Sequence, residues 1–419
     1  MQVQTLKGFR DFLPQQALKR QYVINALRGV FELYGFGPLE TPALEYEDIL
    51  LGKYGEEGDK LMYRFEDHGG RRVALRYDQT VPLSRVVAQY KNELPLPFKR
   101  YQIQPVWRAE NTQKGRFREF FQCDADIVGT DTPLSDAEVI VTAARVLGKL
   151  GFTKFKVLIN DRENLVFYHK AQKLSEEQNI TAIRAIDKLK KTGRDGVIKE
   201  LQDKGFSQEQ ATFVIETVET KKPTPRLQEL FDNLNNLGLS PGQYEFFPTL
   251  ARGLDYYTGL IFEIEIDGYT AGSVCGGGRY DRLIGLFTHQ ESSGQANKDI
   301  PAVGFAFGFD RLMEAMDTLN LFPPELSVTN VLVTIFSPEL KEKSIELSSR
   351  LRLNNINTEL YLDEKAKMEK QLKYANQKQI PYVIIIGPDE AKSNTATVRN
   401  MKTREQKVVK QEELINIIK

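Results

Sequence analysis

Cysteine and histidine are scarce in this sequence, which contains two Cys and three His among 419 residues. The two cysteines, Cys123 and Cys275, lie far apart, and neither has a partner at the spacing of a metal-ligand pair. This excludes a zinc cluster of the usual kind and opposes a secreted fold held together by disulfides.

Long apolar runs and an excess of either charge are also missing. No stretch of about 18 apolar residues is present, so we expect no membrane role. Lys and Arg together number 57, as do Asp and Glu, so a nucleic-acid partner would have to be met by local patches. The first residues, MQVQTLKGFRDFLP, have neither an apolar signal core nor an Arg- and Ser-rich leader pattern. We therefore expect a cytoplasmic location.

The residues that are present predict an α+β fold. Residues 15–34 carry apolar side chains at helical spacing, and Gly35 follows them as a stop signal. LMYRFED and RRVALRYD flank Gly69 and Gly70, which is a hairpin pattern, and two further β-rich runs lie between residues 98 and 129. Strands joined through hairpins indicate an antiparallel sheet with helices packed against one side.

Changes in sequence character divide the chain further. Residues 170–238 are polar and helical in pattern and interrupt a β-rich body, which predicts a helical insertion between residues 1–169 and 239–325. After a proline-containing linker, residues 328–419 alternate strands with helices and predict a small α/β unit with a largely parallel sheet. This last unit carries sixteen Lys and Arg against twelve Asp and Glu, a net charge of +4.

The densest polar stretch is a predicted hairpin over residues 101–126. Guanidinium groups bind phosphate through two parallel hydrogen bonds, and Phe117, Phe120 and Phe121 offer faces for a purine base. A charged hairpin is also typical of a solvated sheet edge, and both interpretations remain open on these residues alone. The charged side chains near its tip are Arg108, Glu110, Lys114, Arg116 and Arg118.

Three more stretches carry candidate site residues. LRYDQT is predicted to place Asp78 and Thr80 on one face of an extended segment, where they can hold an ammonium group, although a surface Asp–Thr pair at a strand end is equally common. In AVGFAFGFDRLM, Gly304 and Gly308 allow close approach to a strand, and Arg311 falls on the first turn of the next helix. The glycine run in CGGGRYD matches neither GxGxxG nor the GxxxxGK[ST] loop and is a weak nucleotide signal.

These stretches occur in one order along the chain: KGFRDFLP, LRYDQT, the charged hairpin, ARGLDYYTGLIFE, CGGGRYD and AVGFAFGFDRL. In this order they resemble a histidyl-tRNA synthetase, a class II aminoacyl-tRNA synthetase, and the resemblance covers essentially the whole chain. The ARGLDYY element separates that family from other class II enzymes. One departure is minor, since LRYDQT has Asp where some members carry Glu.

The resemblance implies an antiparallel catalytic sheet of six or seven strands, a helical insertion and a C-terminal anticodon-binding domain, assembled as a homodimer. It also implies the reaction: ATP and L-histidine give histidyl-adenylate and pyrophosphate, and the histidyl group then passes to the 3′ end of tRNA(His). Mg²⁺ is the implied metal, bound to pyrophosphate, and the sequence does not identify its protein ligands.

The resemblance also implies roles for individual residues. Arg108 and Arg252 are the expected catalytic cations, and both also belong to the histidine-binding set. The other expected histidine-binding residues are Asp78, Thr80, Gln122, Asp126, Tyr256 and Tyr257. The expected ATP-binding residues are Arg108, Glu110, Arg116, Phe120 and Arg311.

Two other functions fit parts of this pattern. A regulatory subunit of histidine biosynthesis shares this catalytic fold without charging tRNA, but is expected to lack the arginine element and the anticodon-binding domain. A class II synthetase for another amino acid is opposed by ARGLDYY.

Overall fold

The computed structural model describes residues 3–51, 61–111, 117–167, 174–252, 257–287, 299–324 and 326–418. The chain forms two compact units. The first contains Tyr22–Leu321 together with the residues up to Asp11, and the second contains Phe12–Gln21 and Phe322–Lys419.

Helices and strands alternate irregularly before residue 321. The helices are α1 (Pro14–Leu33), α2 (Glu47–Leu50), α3 (Thr80–Gln89), α4 (Pro133–Lys149), α5 (Glu176–Ile186), α6 (Leu189–Asp203), α7 (Gln208–Glu219), α8 (Pro225–Asn236) and α9 (Phe309–Thr318). The strands are β1 (Gly37–Pro38), β2 (Leu44–Tyr46), β3 (Arg64–Glu66), β4 (Arg72–Leu75), β5 (Phe98–Trp107), β6 (Glu119–Val128), β7 (Phe155–Asp161), β8 (Tyr244–Phe246), β9 (Leu260–Ile266), β10 (Cys275–Arg279) and β11 (Ala302–Gly308).

A large sheet forms the centre of the first unit. Among the described residues it has eight strands in the order β1-β5-β6-β11-β10-β9-β7-β8. The six inner strands pair antiparallel, as expected, whereas β1 and β8 each add a short parallel strand at an edge. The α+β class predicted from the sequence is confirmed. The long hairpin β5–β6 contains both arms of the charged stretch and lies between the edge strand β1 and strand β11.

The predicted hairpin around Gly69 and Gly70 is also present. Strands β3 and β4 pair antiparallel, and Gly70 adopts a φ of 76°, a conformation that a side chain would disfavour. Strand β2 pairs with the other edge of β4, so that a separate small sheet has the order β2-β4-β3.

Helices α5 to α8 occupy the segment predicted to be a helical insertion. Helices α5 and α7 begin with capping boxes at Ser175 and Ser207, in which side chain and backbone satisfy each other's hydrogen bonds. The apolar faces of α5, α6 and α7 share one core with Ala251, Tyr257 and Ile261. This packing fixes the chain on both sides of the ARGLDYY element.

The second unit contains an α/β sheet. Its helices after residue 321 are α10 (Lys341–Leu353), α11 (Met368–Gln377), α12 (Pro388–Ser393) and α13 (Leu414–Ile418), and its strands are β12 (Val331–Val333), β13 (Thr358–Leu360), β14 (Tyr382–Ile385), β15 (Thr395–Asn400) and β16 (Gln406–Lys410). The strand order is β13-β12-β14-β15-β16. The prediction of a largely parallel sheet was wrong for β15 and β16, which pair antiparallel because a short turn joins them.

None of the described helices has both the length and the apolar character needed to cross a membrane.

Candidate active site

A cavity of about 410 Å³ opens over the middle of the large sheet. Ten of the twelve residues predicted for the site line it: Asp78, Thr80, Arg108, Glu110, Phe120, Gln122, Asp126, Arg252, Tyr257 and Arg311. The other two, Arg116 and Tyr256, lie outside the described residues. Side chains from stretches more than 200 residues apart thus meet around one space.

Small residues on two strands make room for the cavity. On β11, Gly304, Ala306 and Gly308 share one face, and they lie opposite Asp126, Asp124 and Gln122 of β6 in register. On β10, Gly276 and Gly278 continue the rows that contain Ala306 and Gly304. Because side chains alternate along a strand, the polar side chains of β6 project from the same face of the sheet as these small residues. The neighbouring strands therefore leave space beside them.

Asp126 explains the glycine at position 304. A Cβ at Gly304 would lie 1.9 Å from Oδ1 of Asp126, so the carboxylate occupies the space that any side chain would need. The carboxylate itself is fixed from two sides, by an ion pair of 2.7 Å with Arg100 and by a hydrogen bond donated by the Tyr280 hydroxyl. The close approach to this strand predicted from the sequence is therefore made by a protein side chain.

A second buried carboxylate, Asp124, lies on the same face of β6. Burial raises the pKa of Asp124 well above its usual range, Arg100 opposes that change, and the negative charge of Asp126 adds to it. Burial also raises the pKa of Asp126, in spite of its ion pair with Arg100. Oδ1 of Asp124 is buried and has no hydrogen-bond partner among the described residues. An unpaired buried carboxylate oxygen of this kind is costly unless a cation or donor reaches it.

Asp78 and Thr80 line the cavity, but the extended segment predicted for them was wrong. Strand β4 ends at Leu75, the chain bends, and Thr80 is the first residue of helix α3. Oδ1 of Asp78 accepts a weak hydrogen bond of 3.4 Å from the backbone N–H of Val81, in the first turn of the helix. Pro82 is tolerated there because the first turn of a helix leaves its N–H groups unpaired.

The charged hairpin places Arg108 directly after β5. Its Nε donates to the carbonyl of Tyr77 at 3.1 Å, and its guanidinium lies 5.1 Å from the centre of the Phe120 ring. These contacts link Arg108 to the segment that leads to Asp78. Of the three predicted aromatic faces, Phe117 and Phe120 line the cavity, whereas Phe121 packs against Phe309.

Arg252 reaches the cavity across the glycine run of β10. A Cβ at Gly276 would lie 1.4 Å from Nη1 of Arg252, so a side chain at this position would displace the guanidinium. The guanidinium donates to the carbonyl of Phe262 at 3.3 Å and lies 3.5 Å from Glu263. The backbone of Arg252 has a φ of 42°, a left-handed conformation that costs a side-chain-bearing residue about 1–3 kcal/mol. Such strain is common where a fold holds a functional side chain in place.

Tyr257 and Arg311 complete the cavity wall. Tyr257 is buried against Gly278. A Cβ at Gly278 would lie only 2.8 Å from the Tyr257 ring. Arg311 lies in the first turn of α9, as predicted, and its Nη1 donates to the carbonyl of Ser273 at 3.1 Å.

Sequence reasoning missed Arg100, Asp124 and Tyr280. The signal for Asp124 was available, because it lies between Gln122 and Asp126 at the same strand parity. Arg100 and Tyr280 carry no comparable signal, since Arg100 reaches Asp126 through the pairing of β5 with β6, and Tyr280 follows β10 and reaches it across β11.

Within the part of the chain that the structure describes, no group of three or more His, Cys, Asp or Glu side chains is arranged to hold a metal ion.

Comparison with known proteins gives matches over both units. A sequence model of the histidyl-tRNA synthetase family matches residues 8–312, and one of the anticodon binding domain matches residues 330–419. The chain is 40% identical to a histidine–tRNA ligase of Cytophaga hutchinsonii, over 98% of both chains. It is 39% identical to one of Bacteroides fragilis, again over 98% of both. A crystal structure of histidyl-tRNA synthetase from Nostoc sp. superimposes with a TM-score of 0.87 at 29% identity, covering 100% of this chain and 99% of that one.

Proposed function

Because the chain belongs to the histidyl-tRNA synthetase family, we propose that it activates L-histidine with ATP and transfers the histidyl group to the 3′ end of tRNA(His). The observation that carries this proposal is one cavity lined by both carboxylates and guanidinium groups. Asp78, Asp124 and Asp126 supply carboxylates, and Arg108, Arg252 and Arg311 supply guanidinium groups. The ammonium group of an amino acid and the phosphates of a nucleotide need these two kinds of side chain in one site.

In the activation step, a carboxylate oxygen of histidine attacks the α-phosphate of ATP, and the bond to the leaving pyrophosphate breaks. Negative charge spreads over the non-bridging oxygens, so the step needs positioning and fixed positive charge more than a base. We assign Arg108 and Arg252 to the reacting phosphate. Arg311 is assigned to the γ-phosphate.

The remaining nucleotide contacts are assigned to the hairpin. Phe120 is assigned to stacking on adenine. Its ring lies beside the Arg108 guanidinium. Glu110 and Arg116 are assigned to the nucleotide as well. Mg²⁺ takes one or two carboxylates and fills its other positions with phosphate oxygens and water. The lack of a three-ligand cluster among the described residues fits a metal held mainly by ATP, with Glu110 as a candidate protein ligand.

The carboxylates of Asp78, Asp124 and Asp126 are assigned to histidine. Asp78, Thr80 and Gln122 hold its ammonium and carboxylate ends, and Asp124 joins them because its buried Oδ1 lacks a described partner. Asp126 accepts a hydrogen bond from one imidazole nitrogen, and Tyr257, with Tyr256, faces the ring. A ring without these nitrogens cannot make this hydrogen bond, and a site built to hydrogen-bond its substrate can reject such analogues by about 10⁴-fold.

We propose four units along the chain: residues 1–169 and 239–325 as the catalytic domain, 170–238 as the helical insertion, and 328–419 as the anticodon-binding domain. The match of residues 330–419 to an anticodon binding domain supports the last of these. The net charge of +4 over residues 328–419 is too small for tRNA binding to depend on bulk charge. A cytoplasmic location is proposed with this role, because charged tRNA is used there.

A homodimer is proposed from one face of the small sheet. Tyr46, Val73 and Phe65 lie in one row across its three strands, and Leu44 and Leu75 form the next row on the same face. Tyr46 is 58% exposed and Phe65 is 45% exposed. An apolar sheet face left in solvent is typical of a surface that a second subunit covers.

The test is ATP–pyrophosphate exchange with purified protein. Exchange that depends on histidine is expected, and exchange with another amino acid, or none, would contradict the proposal. Arg252→Ala is expected to fold, to bind histidine and to lose most of the exchange rate. Arg194→Ala is the matched control, because Arg194 pairs only with α7 residues Glu216 and Glu219 among its described ion pairs and lies outside the cavity lining.

The regulatory-subunit alternative predicts binding without exchange. That alternative expects loss of the arginine element and of the anticodon-binding domain. Arg252 lines the cavity, and residues 330–419 match an anticodon binding domain, so both features oppose it.

A further inference from the structure

The segment before α1 lies against the charged hairpin. The carbonyl of Gly8 accepts a hydrogen bond of 2.9 Å from the backbone N–H of Arg118. The carbonyl of Lys7 accepts a longer one, 3.4 Å, from the Arg118 guanidinium. The ring of Phe9 lies 6.3 Å from that of Tyr63. The segment is thus attached by its backbone to the arm of the hairpin that enters β6.

Arg10, in this segment, contacts two side chains of the cavity wall. Its guanidinium carbon lies 3.2 Å from the centre of the Phe117 ring, which is a close stacking distance. Its Nη2 lies 2.9 Å from Oδ2 of Asp310, and the two side chains are 27% and 18% exposed. Phe117 and Asp310 both line the cavity. One planar cation therefore bridges two walls of the site.

Each of these walls carries residues assigned above to ATP. Phe117 directly follows Arg116 at the end of the hairpin loop, and it precedes Phe120 on the same arm. Asp310 directly precedes Arg311, so its position sets the first turn of α9. The sequence separation of 107 residues between Arg10 and Phe117, and of 300 between Arg10 and Asp310, shows that only the fold creates this bridge.

We propose that Arg10 is a positioning residue for the nucleotide part of the site. It holds the hairpin and the start of α9 at the separation at which Phe120 and Arg311 contact one ATP molecule. Arginine suits this position better than lysine because its planar group stacks on a ring while its edge pairs with a carboxylate. The inference rests on the proposed ATP site, and it assigns no role in histidine binding to Arg10.

The test compares kinetic constants of Arg10→Ala, Arg10→Lys and the control Arg194→Ala in histidine-dependent ATP–pyrophosphate exchange. In Arg10→Ala, the KM for ATP is expected to rise by about tenfold, which is the loss that one cation–π contact and one partly buried ion pair support. The KM for histidine should stay within about twofold, because Phe117 and Asp310, the two side chains that Arg10 bridges, are not assigned to histidine.

The conservative variant separates the two contacts. Arg10→Lys keeps a charge for Asp310 and loses the planar stack on Phe117, so its KM for ATP should lie between those of wild type and Arg10→Ala. Arg194→Ala should match wild type. An unchanged KM for ATP in Arg10→Ala would overturn the proposal, and so would a parallel rise in both KM values, since that indicates general loosening of the fold.

Failure of the proposed function gives a different result. In that case wild-type protein shows no histidine-dependent exchange at all. The Arg10 proposal is then decided by calorimetric titration of ATP, where Arg10→Ala must bind more weakly than both wild type and Arg194→Ala; equal affinities would overturn it.

Discussion

Gly304→Ala tests whether the position of one carboxylate controls histidine recognition. The added Cβ would lie 1.9 Å from Oδ1 and 2.5 Å from Cγ of Asp126, and 2.9 Å from the backbone carbonyl of Ala125. Asp126 has little freedom to move, because Arg100 lies 2.7 Å away and Tyr280 donates to its other oxygen. The carboxylate must still shift by about 1 Å or more to reach an ordinary contact distance.

The expected magnitudes follow from this displacement. Overpacking of a buried site costs about 1–3 kcal/mol of stability, so the variant should fold with a lowered Tm. A misplacement of about 1 Å in a site reduces its function by about 100-fold. The KM for histidine is therefore expected to rise by about 100-fold, while the KM for ATP stays within about threefold.

The assay is histidine-dependent ATP–pyrophosphate exchange, with thermal melting on the same samples. Gly29→Ala is the matched control, because Gly29 lies inside α1 and a Cβ there meets nothing within 4 Å. That variant should gain about 0.5–1 kcal/mol of stability and keep both KM values. If Gly304→Ala binds histidine as wild type does, Asp126 does not set the recognition geometry, and the assignment of the imidazole to it is wrong.

Three further outcomes are expected. Gly276→Ala places a Cβ 1.4 Å from Nη1 of Arg252, so the exchange rate should fall by about 100-fold with histidine affinity kept, and an unchanged rate would contradict the role of Arg252. Burial raises the pKa of Asp124, so its contribution to stability is present below the unfolded pKa of about 3.9 and is lost as pH rises through the folded pKa. From pH 5 to 8 the Tm of wild type should therefore fall relative to that of Asp124→Asn, and a constant difference would refute this. Phe65→Arg should give monomers in sedimentation analysis, whereas Leu362→Arg, at a residue that is 89% exposed, should not.

Much of the site could be predicted from the sequence because its residues lie in short stretches with a fixed order. The parity of β6 placed Gln122 and Asp126 on one face, and the first turn after β11 placed Arg311. The same reasoning failed at Asp78 and Thr80, because period-two spacing over three residues does not distinguish a strand end from a helix start. The hairpin of β15 and β16 was missed because β15 has only two buried apolar residues, Ala396 and Val398, and β16 is exposed except at Val409.

The residues that the sequence did not reveal act through strand pairing. Arg100, Asp126 and Gly304 form one row across β5, β6 and β11, and their mutual fit depends on the register of three strands. Strands β5 and β6 are joined by a hairpin, but no local pattern encodes the register between β6 and β11, whose paired residues are more than 150 positions apart. Long-range partners such as Tyr280 and Arg10 are hidden from the sequence for the same reason.

The glycine run of β10 is explained by the side chains and backbone packed against it. As a motif it was a weak nucleotide signal. In the structure a Cβ would meet the Arg252 guanidinium at Gly276, the backbone of Gly304 at Gly277, and the Leu260 carbonyl and Tyr257 ring at Gly278. Residues of the ARGLDYY element therefore pack directly on glycines of the CGGGRYD element. The backbone of Arg252 is left-handed. The glycines of β10 leave space for its guanidinium to lie over the sheet. It follows that substitutions of Arg252 and of Gly276 should have the same kinetic signature, a lost exchange rate with histidine still bound.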